Sequence, residues 1–82
     1  MIVEKMNVEE IVEIVKAKGY FKVSCGRWGY IAIRYKSHDT RPTVFRSYPP
    51  PYAEEGWQRW FDTVEEATAF FVSVASKWLV DP

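Results

Sequence analysis

The sequence predicts an α+β domain in which a helix, an antiparallel three- or four-stranded sheet and a second helix follow one another, with both helices on one face of the sheet. Three observations predict it. Apolar residues recur at helical spacing in two separated segments, Val8 to Val15 and Ala67 to Trp78. Between these segments the period falls to two, and β-branched and aromatic residues alternate with polar ones. A chain of 82 residues has room for one hydrophobic core, so the elements belong to a single small globular domain, 1–82.

Asn7 precedes Val8, Ile11, Val12 and Val15, with Glu10 three residues after it, which is the spacing of a capping box followed by an apolar stripe. A helix over 8–18 follows. Glu9, Glu10 and Glu13 lie toward its positive end and Lys16 and Lys18 toward its negative end, and Gly19 suits a left-handed stop. Tyr20, Lys22 and Ser24 then alternate with Phe21, Val23 and Cys25, as on a half-buried strand. Gly26-Arg27 fits a tight turn into a second strand over 28–36. There Ile31, Ile33 and Tyr35 share a face opposite Trp28, Tyr30, Ala32, Arg34 and Lys36.

Ser37 to Arg41 supplies turn residues, Pro42 suits the start of a strand, and 43–48 is rich in β-formers. In this third strand Thr43, Phe45 and Ser47 compete with Val44, Arg46 and Tyr48 for the inner side. Pro49-Pro50-Pro51 predicts an extended, stiff excursion that ends at Gly56, after which 57–61 returns as a short fourth strand. Thr63 with Glu66 repeats the capping-box spacing, and Ala67, Phe70, Phe71, Val74, Ala75 and Trp78 mark a second helix over 64–79. The uncharged run from Ala67 to Ser76 is ten residues, which suits a buried helix face rather than a membrane span.

Several function classes fall away on composition. With 48% hydrophobic and 27% charged residues the chain is globular, not disordered. One Cys and one His exclude a disulfide framework and a four-ligand Cys/His zinc site, so no metal is expected. No glycine motif cradles a phosphate, and no cofactor is expected. The N-terminus lacks a basic flank and apolar signal core, which points to an unprocessed cytoplasmic protein without a membrane partner. Cys25 and His38 make a poor nucleophile and base, because strand two would hold them at opposite sheet ends, roughly 26 Å apart. The carboxylates sit mostly at helix starts with no catalytic partner, so a non-enzymatic protein is expected.

Charge segregation is the main functional clue. Eleven basic residues offset eleven acidic ones, yet residues 16–46 hold eight cations against Asp39 alone, a local excess of +7. On the face expected to be open, Lys22, Arg34 and Lys36 are interleaved with Tyr20, Trp28 and Tyr30, and Arg27 projects from the adjoining turn. Cations attract phosphates, flat rings offer stacking surface and Arg bridges two acceptors on guanine, so the expected partner is nucleic acid, duplex DNA before any other. The competing reading is solubility: the cations keep the face wet, cover the rings with their alkyl stems and pair with carboxylates.

The segment FKVSCGRWGYIAIRY, Phe21 to Tyr35, together with Phe61-Asp62-Thr63-Val64-Glu65-Glu66-Ala67, resembles the strand-turn-strand and the final strand-to-helix junction of plant ethylene-response-factor and phage-integrase arm-binding domains. That resemblance covers about half of the chain. It implies a three-stranded sheet backed by one helix whose open face enters a DNA groove, with Arg27, Trp28, Tyr30 and Arg34 at the matching positions. The chain departs from the pattern in its added N-terminal helix and its Pro-rich insertion before Phe61. The element order is also that of double-stranded-RNA-binding domains, but Thr63, Glu65 and Glu66 stand where that family has a Lys-rich helix start, and phosphates would meet carboxylates.

A rival reading rests on aromatic excess. Fourteen of 82 residues are Trp, Tyr or Phe, more than so small a domain can bury beside its aliphatic residues. Tyr48, Pro50, Tyr52, Trp57 and Trp60 would then anchor a protein partner, with this chain an inhibitor, an accessory subunit or a homodimer. Within that segment Pro49-Pro50-Pro51-Tyr52 matches the Pro-Pro-x-Tyr pattern read by WW domains.

Overall fold

A computed structural model describes residues 7–79 of the chain, with the side chains of Trp78 and Leu79 outside the described set. The architecture is α+β. Helix α1 (Val8–Lys18) is followed by strands β1 (Tyr20–Ser24), β2 (Tyr30–Arg34), β3 (Thr43–Ser47) and β4 (Trp57–Trp60), and by helix α2 (Val64–Leu79). The strands form an antiparallel meander in sequence order, the topology that short connections favour.

Both helices start where their capping residues direct, and α1 stops at its glycine. The Asn7 side chain accepts the Glu9 and Glu10 backbone N–H groups at 2.8 and 3.3 Å, and Thr63 Oγ1 accepts that of Glu66 at 3.1 Å. Gly19 ends α1 in the left-handed region at φ 80°, its N–H donating to Val15 O at 2.7 Å. Helix α1 lies against β1 and α2, while α2 covers β2 and β3. Ile11, Val12 and Val15 from α1 and Val64, Ala67, Phe71 and Ala75 from α2 close over Val23, Cys25, Ile31, Ile33 and Val44 of the sheet region. Phe71 is the largest fully buried side chain among the described residues, and Phe21 meets it edge-on with ring centroids 5.8 Å apart. Trp78, expected on this stripe, has its side chain outside the described residues. No described helix is long and apolar enough to cross a membrane.

The connections differ from expectation more than the elements do. Gly26–Trp28 is a 3-10 turn rather than a two-residue hairpin, so β2 begins at Tyr30 and Trp28 lies outside it. Tyr35 and Lys36 likewise fall beyond the strand. Gly29 sets this boundary: its φ is 92° and its Cα faces the Ser47 backbone, a place where a side chain has neither the dihedral nor the room. Across the molecule, Pro49 to Gly56 does not run extended. Tyr52 N–H donates to Pro49 O at 2.8 Å, which closes a turn, and Ala53–Glu55 then forms a second 3-10 turn.

Register fixes the facing that periodicity left open. Ile31 pairs with Arg46 and Ile33 with Val44, so Val44 and Arg46 look toward the helices while Thr43, Phe45 and Ser47 look away. Trp57 pairs with Arg46 and therefore also lies on the helix side, where its ring meets Phe70 at 5.9 Å.

Candidate nucleic-acid interface

The sheet face away from the helices is built from three cross-strand rows. Tyr20, Arg34, Thr43 and Trp60 form one, Lys22, Ala32, Phe45 and Gln58 the next, and Ser24, Tyr30 and Ser47 the third. Neither helix covers it. Ala32 points to this face yet is fully buried, because larger neighbours close over its methyl group. Tyr30 and Phe45 are those neighbours' rigid part, meeting edge to face at 6.1 Å. Trp60 stands at the rim of the face, 54% exposed.

The four strands carry Lys22, Arg34, Arg46 and Arg59 and no acid at all. Of these cations two reach the open face. The Lys22 ammonium lies 4.8 Å from the centroid of Tyr30, and from beyond the end of β2 that of Lys36 lies 5.9 Å from Tyr20. Both pairs are rim-exposed cation–π contacts, each worth about 0.5–1 kcal/mol, which an incoming phosphate can displace. Arg34 is held more firmly. Its Nε and Nη2 donate to Asp39 Oδ2 and Oδ1, each at 3.2 Å.

Asp39 is the single acid of the basic segment, and it is engaged on three sides. The Lys36 backbone N–H donates to it at 2.8 Å and, with Arg34 and His38 nearby, holds its carboxyl below the usual range despite partial desolvation. On the helix side a hydrogen bond from Lys16 Nζ at 3.0 Å likewise lowers Glu65. For both acids the folded form has the lower pKa, so their stabilising contribution is complete above the unfolded carboxylate range near 4 and is lost as pH falls through the lowered values. Asp39→Asn is therefore expected to flatten the acid limb of stability and to free Arg34, raising affinity for an oligonucleotide roughly two- to fivefold. Urea unfolding at pH 7 and pH 3, paired with a binding titration of the same variant, checks both parts.

The sequence-predicted residues separate into two groups. Lys22, Tyr30 and Arg34 lie on the open face, Lys36 at its edge and Arg27, exposed, on the 3-10 turn. Trp28 does not join them. It faces the 49–56 segment, its ring 5.9 Å from that of Tyr52, and with Tyr48, Tyr52 and Glu55 it lines a separate cleft. The protein-docking set divides as well: Trp60 belongs to the open sheet face, Trp57 packs inward on Phe70, and Pro50 is exposed on the loop. Phe45, Gln58 and Thr43 are open-face residues that the site assignment from sequence omitted. The pairing of β3 with β2 supplies the missing signal, since it decides which alternate residues point out.

Arg46 takes the inward of the two facings that the alternation of the third strand left open. It is 2% exposed, and its Nη1 donates to Tyr30 O at 2.9 Å and Ser47 O at 2.6 Å while the guanidinium lies 4.1 Å from the Tyr48 ring centroid. It therefore ties β2 to the end of β3 and fixes the Tyr48 ring. Arg46→Ala is expected to cost about 2–4 kcal/mol, and Arg46→Lys nearly as much, because an ammonium cannot bridge two carbonyls and stack at once. Chemical denaturation of the two variants beside the parent measures this.

Cys25 and His38 lie beyond opposite ends of β2, as the strand length requires. Burial pushes the Cys25 thiol up, with partial relief from Arg46, and the thiol packs in the core. Among the described residues no group of three or more His, Cys, Asp or Glu converges to hold a metal ion. No family model matches the chain, and no curated protein or solved structure is significantly similar to it.

Proposed function

We propose that this protein is a non-enzymatic nucleic-acid-binding domain whose open sheet face receives a single strand. One observation carries the reading: a sheet face without an acid on its strands presents Tyr20, Tyr30, Phe45 and Trp60 beside Lys22 and Arg34. Rings give every base a stacking surface, and cations placed among the rings meet the phosphates that run beside the bases.

The dimensions favour a single strand over the duplex DNA that the family resemblance implies. Four strands span three spacings of about 4.8 Å, or about 14 Å before side chains are added, whereas the major groove is about 12 Å wide. A face of that width meets a duplex at its rim. An unpaired strand lies across it, bases down. Gln58, on the face beside Phe45, offers the amide donor and acceptor that a base edge requires.

Titration of intrinsic Trp fluorescence with mixed-sequence single-stranded DNA and RNA and with the two duplexes, at low and moderate salt, tests the reading. The expected result is saturable quenching by single strands with a log–log salt slope of about −1.4, from two phosphate contacts by Lys22 and Lys36, Arg34 being held by Asp39. Tighter binding of duplex DNA would return the assignment to groove insertion. No response to any polymer at low salt, together with dimerisation seen by light scattering, would favour the exposed rings as a protein-docking surface.

A further inference from the structure

The cleft behind the sheet end has a composition that the nucleic-acid reading does not use. Its walls are Trp28 from the 3-10 turn after β1, Tyr48 from the end of β3, and Tyr52 and Glu55 from the following loop, around a volume of about 310 Å³. That volume is at the lower end for small-molecule sites. Trp28 and Tyr52 meet at 56° with centroids 5.9 Å apart, so they form two walls of a corner rather than a closed stack. Both remain open, 43% and 49% exposed, and no basic residue among those described lines the space. Arg46 lies over the Tyr48 ring but does not border the cleft, so it fixes that wall without filling the site with its own charge.

We propose that this cleft is an aromatic cage for a quaternary ammonium group. The Trp28 and Tyr52 rings present negative electrostatic potential, the Tyr48 ring, backed by the Arg46 guanidinium, adds an apolar wall, and Glu55 adds a full charge, which together select a cation. The nearly apolar lining selects which cation. A primary ammonium has three N–H donors that need acceptors, and among the described residues Glu55 is the only charged acceptor here. A trimethylammonium has no donor to satisfy, is weakly hydrated and spreads its charge over methyl groups that touch ring faces. The chemistry is shared by free choline-like cations and by the trimethylated side chain of a lysine.

The test is a titration of the whole protein, read from the Trp28 indole N–H in two-dimensional NMR, with choline, with its uncharged carbon isostere 3,3-dimethylbutan-1-ol, and with a short peptide bearing trimethyllysine. Choline is expected to saturate the shift and to bind about tenfold tighter than the isostere. Glu55→Gln, an exchange at an exposed position, should weaken choline severalfold without moving the melting temperature. Tighter binding of the peptide than of choline would place the natural group on a lysine; the reverse would place it on a free small molecule. Equal binding of choline and the isostere would overturn the proposal in favour of a plain apolar cleft, and absence of any shift at Trp28 would overturn it outright. Sheet-face variants leave this signal unchanged, so the cage and the nucleic-acid site fail or stand separately.

Discussion

Gly29→Ala is expected to remove at least about a third of the folding stability. A Cβ at this position would overlap Ser47 O and come within 2.9 Å of Ser47 C and 3.1 Å of Tyr48 Cα, all of them backbone atoms that cannot swing aside. The dihedral adds to the clash, since φ is 92°. Relief requires the start of β2 to separate from the end of β3, which breaks the anchoring of Arg46 on Tyr30 O and Ser47 O as well. The expected loss exceeds about 4 kcal/mol, against a total of about 4–12 kcal/mol for a domain of this size. Gly26→Ala is the matched control. Its φ is also positive, 65°, but nothing lies within 4 Å of an added Cβ, so it should cost only about 1–2 kcal/mol. Urea unfolding followed by circular dichroism separates the two; similar midpoints for both variants would show that the approach to Ser47 does not constrain the fold.

The second large effect concerns binding. Trp60→Ala should reduce affinity for a single-stranded oligonucleotide by about 1–3 kcal/mol, roughly 5- to 150-fold, the loss of one stacked base. Trp60 suits the test because it is exposed on an edge strand, so its removal leaves the core intact. Lys22→Glu should weaken binding to every sequence alike and make the salt dependence shallower by about 0.7, the signature of a phosphate contact rather than a base contact. The two effects are distinguishable in one titration series at three salt concentrations. A Trp60→Ala variant that binds as tightly as the parent would remove the ring from the site, and an unchanged salt slope in Lys22→Glu would remove the ammonium.

The helices were legible in the sequence because every local cue agreed. At α1 the Asn7 cap, the acids of the first turn, the apolar stripe, the late lysines and Gly19 all specify the same eleven residues. The sheet was legible as three or four antiparallel strands and in the facing of β1 and β2, but not at its edges. Trp28 is the instructive case: alternation alone extends β2 back to it, whereas the close approach of Gly29 to Ser47, eighteen positions away, starts the strand at Tyr30. Nothing within a short window of sequence reports that contact. The facing of Arg46 stays open in the sequence for the same reason, since a cation on the core face contradicts binary patterning until its acceptors, the Tyr30 and Ser47 carbonyls, and the Tyr48 ring are in place.

The candidate site shows the same division. The basic segment and its aromatic interleaving are properties of composition and period, and they located Lys22, Tyr30 and Arg34 on one face. Grouping the remaining aromatics required strand pairing. Register moved Trp60 and Phe45 onto the sheet face, and the turn after Pro49 brought Tyr52 to Trp28. Arg34 looked like a free cation because Asp39 is five residues on, across a loop whose path the sequence did not specify.

The central claim, that the open sheet face receives a single strand, is tested most directly by locating the contact rather than by measuring affinity. Two-dimensional NMR of the isotope-labelled protein during addition of a short mixed-sequence single-stranded oligonucleotide reports every backbone amide, the Trp60 indole and the Gln58 side-chain amide together. The account predicts that shifts concentrate on β1 to β4, with Trp60 and Gln58 among the largest, while exposed α1 residues such as Glu9, Glu10 and Glu13 stay still. Shifts confined to the helices, or to the Trp28 cleft with the sheet face unmoved, would contradict it.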